Sequence, residues 1–198
     1  IIGESPLVTL KRKGYLVRVS GWFHQYCTVF ESLIDECRAS SYYNYAHIDN
    51  DRFSLLNPIL TTINLLPHYS PYGYLKNPVS SYLHKRNVEN AHNYAVSTLS
   101  SNEKAFNYFH YPIPHIPFIY DGTSYAPPMN PFKQGSEEYR LQITYIDKLF
   151  GEVIHAMKNW NRFDASTIVL MSDHNFRAVF HDGENSRHIP LIIKNPYQ

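Results

Sequence analysis

The chain has 198 residues, 43% hydrophobic and 18% charged, with a net charge of +1 that leaves 11 histidines uncounted. That length suits one α/β domain with a sizeable buried core. No Lys/Arg stripe gives a nucleic-acid partner a footing. No apolar stretch reaches the ~18 residues of a membrane span, and no signal peptide is visible.

The chain opens on Ile1-Ile2-Gly3-Glu4 without a methionine, as expected of a piece of a longer protein. Residues 6–13 (PLVTLKRK) then predict a short helix closed by Gly14, a good residue just past a helix end, with Lys11, Arg12 and Lys13 as its solvated end. Residues 15–20 (YLVRVS) predict a strand with Val17 and Val19 on one face, broken by Gly21. Residues 24–38 predict an amphipathic helix, with Val29, Leu33 and Ile34 at helical spacing. Cys27 and Cys37 fall within it. Two cysteines cannot make a structural zinc site alone, a disulfide is left open, and two free thiols near one helix is the preferred reading.

Residues 40–78 are rich in Tyr, Asn, Pro and Ser and are expected to be loops with short helices. Residues 79–99 have modest helical character, and residues 104–111 (KAFNYFHY) alternate as a strand does. Pro112, Pro114, Pro117, Pro127, Pro128 and Pro131 describe a long, stiff loop after it. Residues 136–160 form the clearest element. Ser136 can cap a helix there, Glu137 and Glu138 suit its first turn, and Ile146, Leu149, Phe150, Val153 and Met157 make an apolar stripe. Residues 167–172 (TIVLMS) predict a strand buried on both faces of a parallel sheet, and residues 189–194 (IPLIIK) another strand. The alternation of helices and strands indicates an α/β fold with a largely parallel sheet. The 17 tyrosines suit pocket walls and core caps equally well.

In open α/β sheets ligands bind beyond the carboxyl ends of strands. Two polar clusters fall there: Ser172-Asp173-His174 after TIVLM, and the loop after KAFNYFHY with His110 and His115. Asp173 and His174 offer a carboxylate and an imidazole to one cation, as His suits zinc and other transition metals and Asp suits hard and borderline ions alike. The plainer alternative is a polar strand end with Asp173 capping the next turn. His115 lies in a proline-stiffened loop, which suits a ligand or an oxyanion-binding group, though a surface-loop histidine is the alternative. Arg177, His181, Arg187 and His188 follow closely and would suit a tetrahedral anion, or solvent.

Residues 139–174 resemble the sulfatase family of the alkaline phosphatase superfamily. The helix carries Tyr139, Ile143, Tyr145 and Asp147, and leads to Thr167-Ile168-Val169-Leu170-Met171-Ser172-Asp173-His174. Phe109-His110 is followed by Pro114-His115-Ile116-Pro117, and the end carries Ile189-Pro190-Leu191-Ile192-Ile193. Near the start, residues 10–15 (LKRKGY) look like the helix end that precedes an early core strand. These phrases occur in the family's order across most of the chain; residues 40–80 match no phrase of it.

The resemblance implies a three-layer α/β/α sandwich, alkaline phosphatase-like, with residues 1–198 as a single sulfatase-like domain cut from a longer chain. It implies a divalent metal ion (Ca, Mg, Mn or Zn) held by Asp173 and His174. His115 would be catalytic, and His110, Arg177, His181 and His188 would bind substrate. Activity on sulfate or phosphate esters of small molecules, glycans or lipids follows, in a periplasmic, membrane-associated or extracellular setting with an anchor upstream. Asn175 stands where the family usually has Gly after Asp-His. The family's acidic N-terminal strand and nucleophile motif are not found, and Cys27 lacks the Cys-x-Pro-x-Arg setting. That leaves two alternatives: a phosphoryl transferase of the lipoteichoic acid synthase or phosphoethanolamine transferase type, or a non-catalytic binding domain on the same fold.

Overall fold

The computed structural model describes residues 5–40, 78–126, 135–174 and 189–197. Helix α1 (Pro6–Arg12) carries its proline in the first turn, where a missing N–H costs nothing, and ends before Gly14 at φ +74°. Strand β1 (Leu16–Trp22) follows, buried along nearly its whole length. It runs through Gly21 rather than stopping there, because the bare Cα leaves room for the ring of Tyr26.

The expected helix over residues 24–38 does not form. In its place are a one-turn helix α2 (Tyr26–Val29), a 3₁₀ turn (Glu31–Leu33) and strand β2 (Glu36–Ser40). Cys27 and Cys37 are joined in a disulfide with Cα atoms 5.6 Å apart, so neither is a free thiol. Ten residues of α-helix would hold those Cα atoms roughly 15 Å apart, too far for a bridge. The bridge and the helix exclude one another, and Val29 of the expected apolar stripe is exposed.

Helix α3 (Pro78–Leu99) leads to strand β3 (Ala105–Phe109). Strands β2, β1 and β3 form a three-stranded sheet in that order, parallel throughout, with Arg18 opposite Glu36 on one side and Asn107 on the other. Arg18 is buried and binds Glu36 at 2.8 Å and Glu103, clamping the sheet through charge. The chain is thus an α/β protein with a parallel sheet, as its alternation of elements predicts.

Helix α4 (Ser136–Asn159) starts one residue earlier than a Ser136 cap would place it. Gly135 is the cap residue, and its N–H donates to the Glu138 carboxylate at 3.0 Å. Strand β4 (Ile168–Met171) pairs antiparallel with β5 (Leu191–Lys194) in a separate ribbon. This departs from the expected parallel strand buried on both faces: Val169 and Met171 are 52% and 57% exposed. Alternate residues point to opposite faces, and the inward Ile168 packs on Ala95 of α3 and on Val153 and Met157 of α4. Phe109 of β3 packs on the same cluster.

A second cluster joins Val88 of α3, Leu149 of α4 and Ile113, Ile119 and Tyr120 of the proline-rich loop. Tyr120 stacks on Tyr145 with ring centroids 3.9 Å apart. Gln142, with 0% exposure, binds the loop backbone: its Oε1 accepts from the N–H groups of Ile119 and Tyr120, both at 3.2 Å, and its Nε2 donates to the Tyr120 carbonyl at 2.7 Å. Tyr111, Tyr120 and Tyr125 of this loop therefore cap the core. The loop that follows β3 is fixed from beneath by α4.

Candidate functional site

Strands β1 and β3 are parallel, so their carboxyl ends share one rim. Trp22 closes β1 there, and His110 follows β3, its backbone N–H donating to the Ser20 carbonyl at 2.8 Å. The buried Trp22 ring is the hub of an aromatic cluster. Its centroid lies 5.0 Å from His115, 5.9 Å from His110 and 6.4 Å from His84, each in an edge contact.

The proline-rich loop carries His115, whose Nδ1 lies 2.8 Å from the Ile116 carbonyl. A carbonyl only accepts, so that nitrogen carries the proton and the ring is oriented by it. The His110 ring stacks on exposed His24 at 6.4 Å, and its Nδ1 lies 3.1 Å from the Tyr26 hydroxyl, which also approaches the Tyr108 hydroxyl at 3.3 Å. Burial holds His110 below the usual histidine range, against the pull of Asp173 and with a push from His24 and His115. Burial also raises the Tyr26 phenol, with Tyr108 and Asp173 adding to it, so the hydroxyl stays protonated.

Asp173, after β4, lies near enough to His110 and Tyr26 to act on both electrostatically, although its strand belongs to the other ribbon. Its neighbour His174 has Nε2 3.9 Å from the Asp173 carboxylate, and Ser172 Oγ donates to the His174 carbonyl. His110, His115 and Asp173 are thus brought together, with His174 beside Asp173. Arg177, His181 and His188 lie outside the described residues.

The two candidate metal ligands are adjacent in sequence, and among the described residues no group of three or more His, Cys, Asp or Glu is disposed to hold a metal ion. These residues alone do not make a metal centre. Cys27, oxidised with Cys37, has no thiol to act as a nucleophile.

Four residues of the rim were not reached from the sequence: Trp22, His24, Tyr26 and His84. The first two carry a readable signal, since Trp22 ends β1 and His24 lies just past it, as Phe109 ends β3 and His110 lies just past it. His84 sits on α3 with Val88, Ala91 and Ala95 at helical spacing, which marks a buried face but not what it faces. It is 1% exposed, and its Nε2 has no hydrogen-bond partner among the described residues. Burial, with the neighbouring His115, pushes it down to about 3, so it is neutral at physiological pH.

A cavity of about 500 Å³ lies between α3 and α4, lined by His92, Glu152, His155 and Trp160 among others. None of its lining residues belongs to the rim cluster. The chemistry-bearing groups gather on an open edge instead.

No protein-family model matches the chain, and no curated protein matches it by sequence. Among solved structures, the chain is similar to Ps i-CgsB, determined in complex with k-i-k-neocarrahexaose, at 17% identity and a TM-score of 0.50. The likeness covers 85% of this chain and 39% of that one, so the chain spans well under half the length of the protein it resembles, and what the likeness shows is a shared α/β fold.

Proposed function

We propose that this chain supplies the ester-holding part of a sulfatase-like hydrolase acting on sulfate or phosphate esters. The observation that carries the reading is the nearness of His110 and His115, both in the segment after β3, to each other around Trp22 and of His110 to Asp173 at the end of β4. All three, with His174, are residues that the sulfatase-like phrases single out. The neighbour's neocarrahexaose makes a glycan ester one reasonable substrate class.

In this reading the three imidazoles of His24, His110 and His115 line the seat of a tetrahedral anion. The Nδ1–H of His115 is committed to Ile116, so proton exchange with the leaving oxygen would run through Nε2. His110, held neutral by burial and tied to Tyr26, would meet the anion as a hydrogen-bonding partner. Arg177, His181 and His188 would add contacts to the group. Asp173 and His174 would supply two donors to a divalent cation, the others coming from polypeptide beyond the described residues. The nucleophile would come from there too, with Cys27 closed off in its disulfide.

The test is elemental analysis of the purified protein and of Asp173→Ala, beside hydrolysis assays on aryl sulfates and aryl phosphates. Stoichiometric metal that Asp173→Ala loses, and hydrolysis that His115→Ala lowers by about 100-fold or more, would support the reading. Equal metal in both proteins, or hydrolysis indifferent to His115, would sink it. Ester binding without any hydrolysis would favour the non-catalytic alternative.

A further inference from the structure

Helices α3 and α4 meet through Ala95, Val153 and Met157. Beside that apolar contact lies the cavity of about 500 Å³. Its α3 side carries Asn93, Val96 and Ser97, and its α4 side Glu152, His155 and Asn159, each set on one face of its helix. A stripe that faces a neighbouring helix is ordinarily apolar. These two are mostly polar, and their groups are unspent: the side chains of Asn93, His155 and Asn159 make no hydrogen bond among the described residues.

Glu152 is held in place by buried His92. A carboxylate only accepts, so His92 Nε2 donates to it at 2.9 Å, while His92 Nδ1 lies 3.2 Å from the Tyr111 hydroxyl. That bond takes one carboxylate oxygen, and the other has no hydrogen-bond partner among the described residues. Trp160, just past the end of α4, closes the cavity's lining. It is 47% exposed, and among the described residues its ring makes no ring contact, no cation contact and no hydrogen bond.

A large apolar face beside free amides, an imidazole and a fixed carboxylate selects a particular chemistry. The ligand must be apolar on one side and rich in hydroxyls around its edge. A pyranose is such a molecule: its axial C–H groups suit the electron-rich face of an indole, and each hydroxyl both donates and accepts. An anion would be repelled by Glu152. A quaternary ammonium ion would use the carboxylate and the indole but leave Asn93 and Asn159 unused. The volume falls within the roughly 300–1,000 Å³ of small-molecule sites.

We propose that the cavity between α3 and α4 binds an uncharged pyranoside, with Trp160 as its stacking face and Asn93, Glu152, His155 and Asn159 as partners of its hydroxyls. None of these residues belongs to the rim, so the assignment does not rest on the ester reading.

The test follows the indole N–H signals of the two tryptophans by NMR on isotopically labelled protein, Trp160 being identified by its loss in Trp160→Phe. Methyl glucoside, methyl galactoside and methyl mannoside are titrated. Glycerol, tetramethylammonium chloride and sodium sulfate probe the rival chemistries. At least one pyranoside should shift the Trp160 signal saturably, with a Kd on the order of 1–10 mM, and leave that of Trp22 in place. Asn159→Ala should weaken it by about 3-fold or more, read at the same indole. Trp160→Ala removes an exposed side chain, so the fold should survive, and the affinity read at the Asn159 side-chain amide should fall by about 5-fold or more.

Glycerol, tetramethylammonium or sulfate matching the best pyranoside at the Trp160 signal would overturn the proposal. So would pyranosides that leave that signal unmoved, or that bind Trp160→Ala as tightly as the parent. Pyranosides that shift Trp22 alone would seat the sugar at the rim and overturn it as well.

Discussion

Tyr26 occupies the space that a side chain at Gly21 would need: a Cβ built there falls 2.1 Å from its Cδ2. The same ring sends its hydroxyl to His110. One packing contact near the end of β1 therefore sets a hydrogen bond at the rim. Gly21→Ala should displace the ring, destabilising the protein by about 1–3 kcal/mol in urea titrations. Replacing Tyr26 by Ala as well should recover part of that loss, since the clash is with the ring and not with backbone. Additive losses in the double variant would refute the account.

Gln142 makes its prediction through unpaired groups. Gln142→Leu keeps similar bulk but abandons the N–H groups of Ile119 and Tyr120 in a dry interior. Each orphaned donor costs about 1–3 kcal/mol, so a total loss of about 2–5 kcal/mol is expected by chemical denaturation. The loop carrying His115 should also lose protection in hydrogen exchange, with Ile119 and Tyr120 amides affected first.

His84 predicts a pH dependence. Its folded-state pKa is pushed down to about 3 by burial and by His115, while the unfolded chain titrates near the ordinary 6.5. Between those values the unfolded state binds the extra proton. Stability from this residue is thus complete above about pH 6.5 and falls as pH drops toward 3, by up to about 1.4 kcal/mol per pH unit. His110 bends the curve in the same direction. The difference between the parent and His84→Leu isolates the residue. From pH 7.5 to 4 the parent's denaturation midpoint should fall relative to that of His84→Leu, and parallel curves would show that His84 is not buried neutral.

The Cys27–Cys37 bridge closes a short loop, and removing it should cost about 2–3 kcal/mol by the loop-entropy estimate. The Cys27→Ser, Cys37→Ser protein should melt at a lower temperature. Thiol titration of the denatured parent should find two reactive groups only after reduction. Two thiols before reduction would restore the free-cysteine reading.

Much of this architecture is legible in residue patterns. The apolar stripe from Ile146 to Met157 has one solution, a helix on a core, because its spacing repeats over several turns. The stretch from Val29 to Ile34 has the same spacing over barely a turn and a half, and there a covalent bond between Cys27 and Cys37 overrules it. The TIVLM run shows how an apolar string fails to report its own partner: β4 is a strand as expected, yet its pairing with β5 depends on a segment twenty residues on. For the candidate site, chain position relative to strand ends was enough to single out His110, His115 and Asp173 as candidates. It was not enough for His84, whose place comes from the angle at which a helix lies on the sheet, a quantity no local pattern encodes.

The two ribbons raise a last point about control of distance. His110 is carried by the parallel sheet and Asp173 by the antiparallel pair, and among the described residues no ladder bond joins β3 to β4. What holds the imidazole and the carboxylate at a common rim is the bed of Ala95, Val153 and Met157, on which Phe109 and Ile168 both rest. Backbone ladders have a fixed pitch, whereas side-chain beds change thickness one methylene at a time. The separation of the two groups is therefore a property of core volume, and substitutions at Ala95 or Met157 would change it without touching either residue.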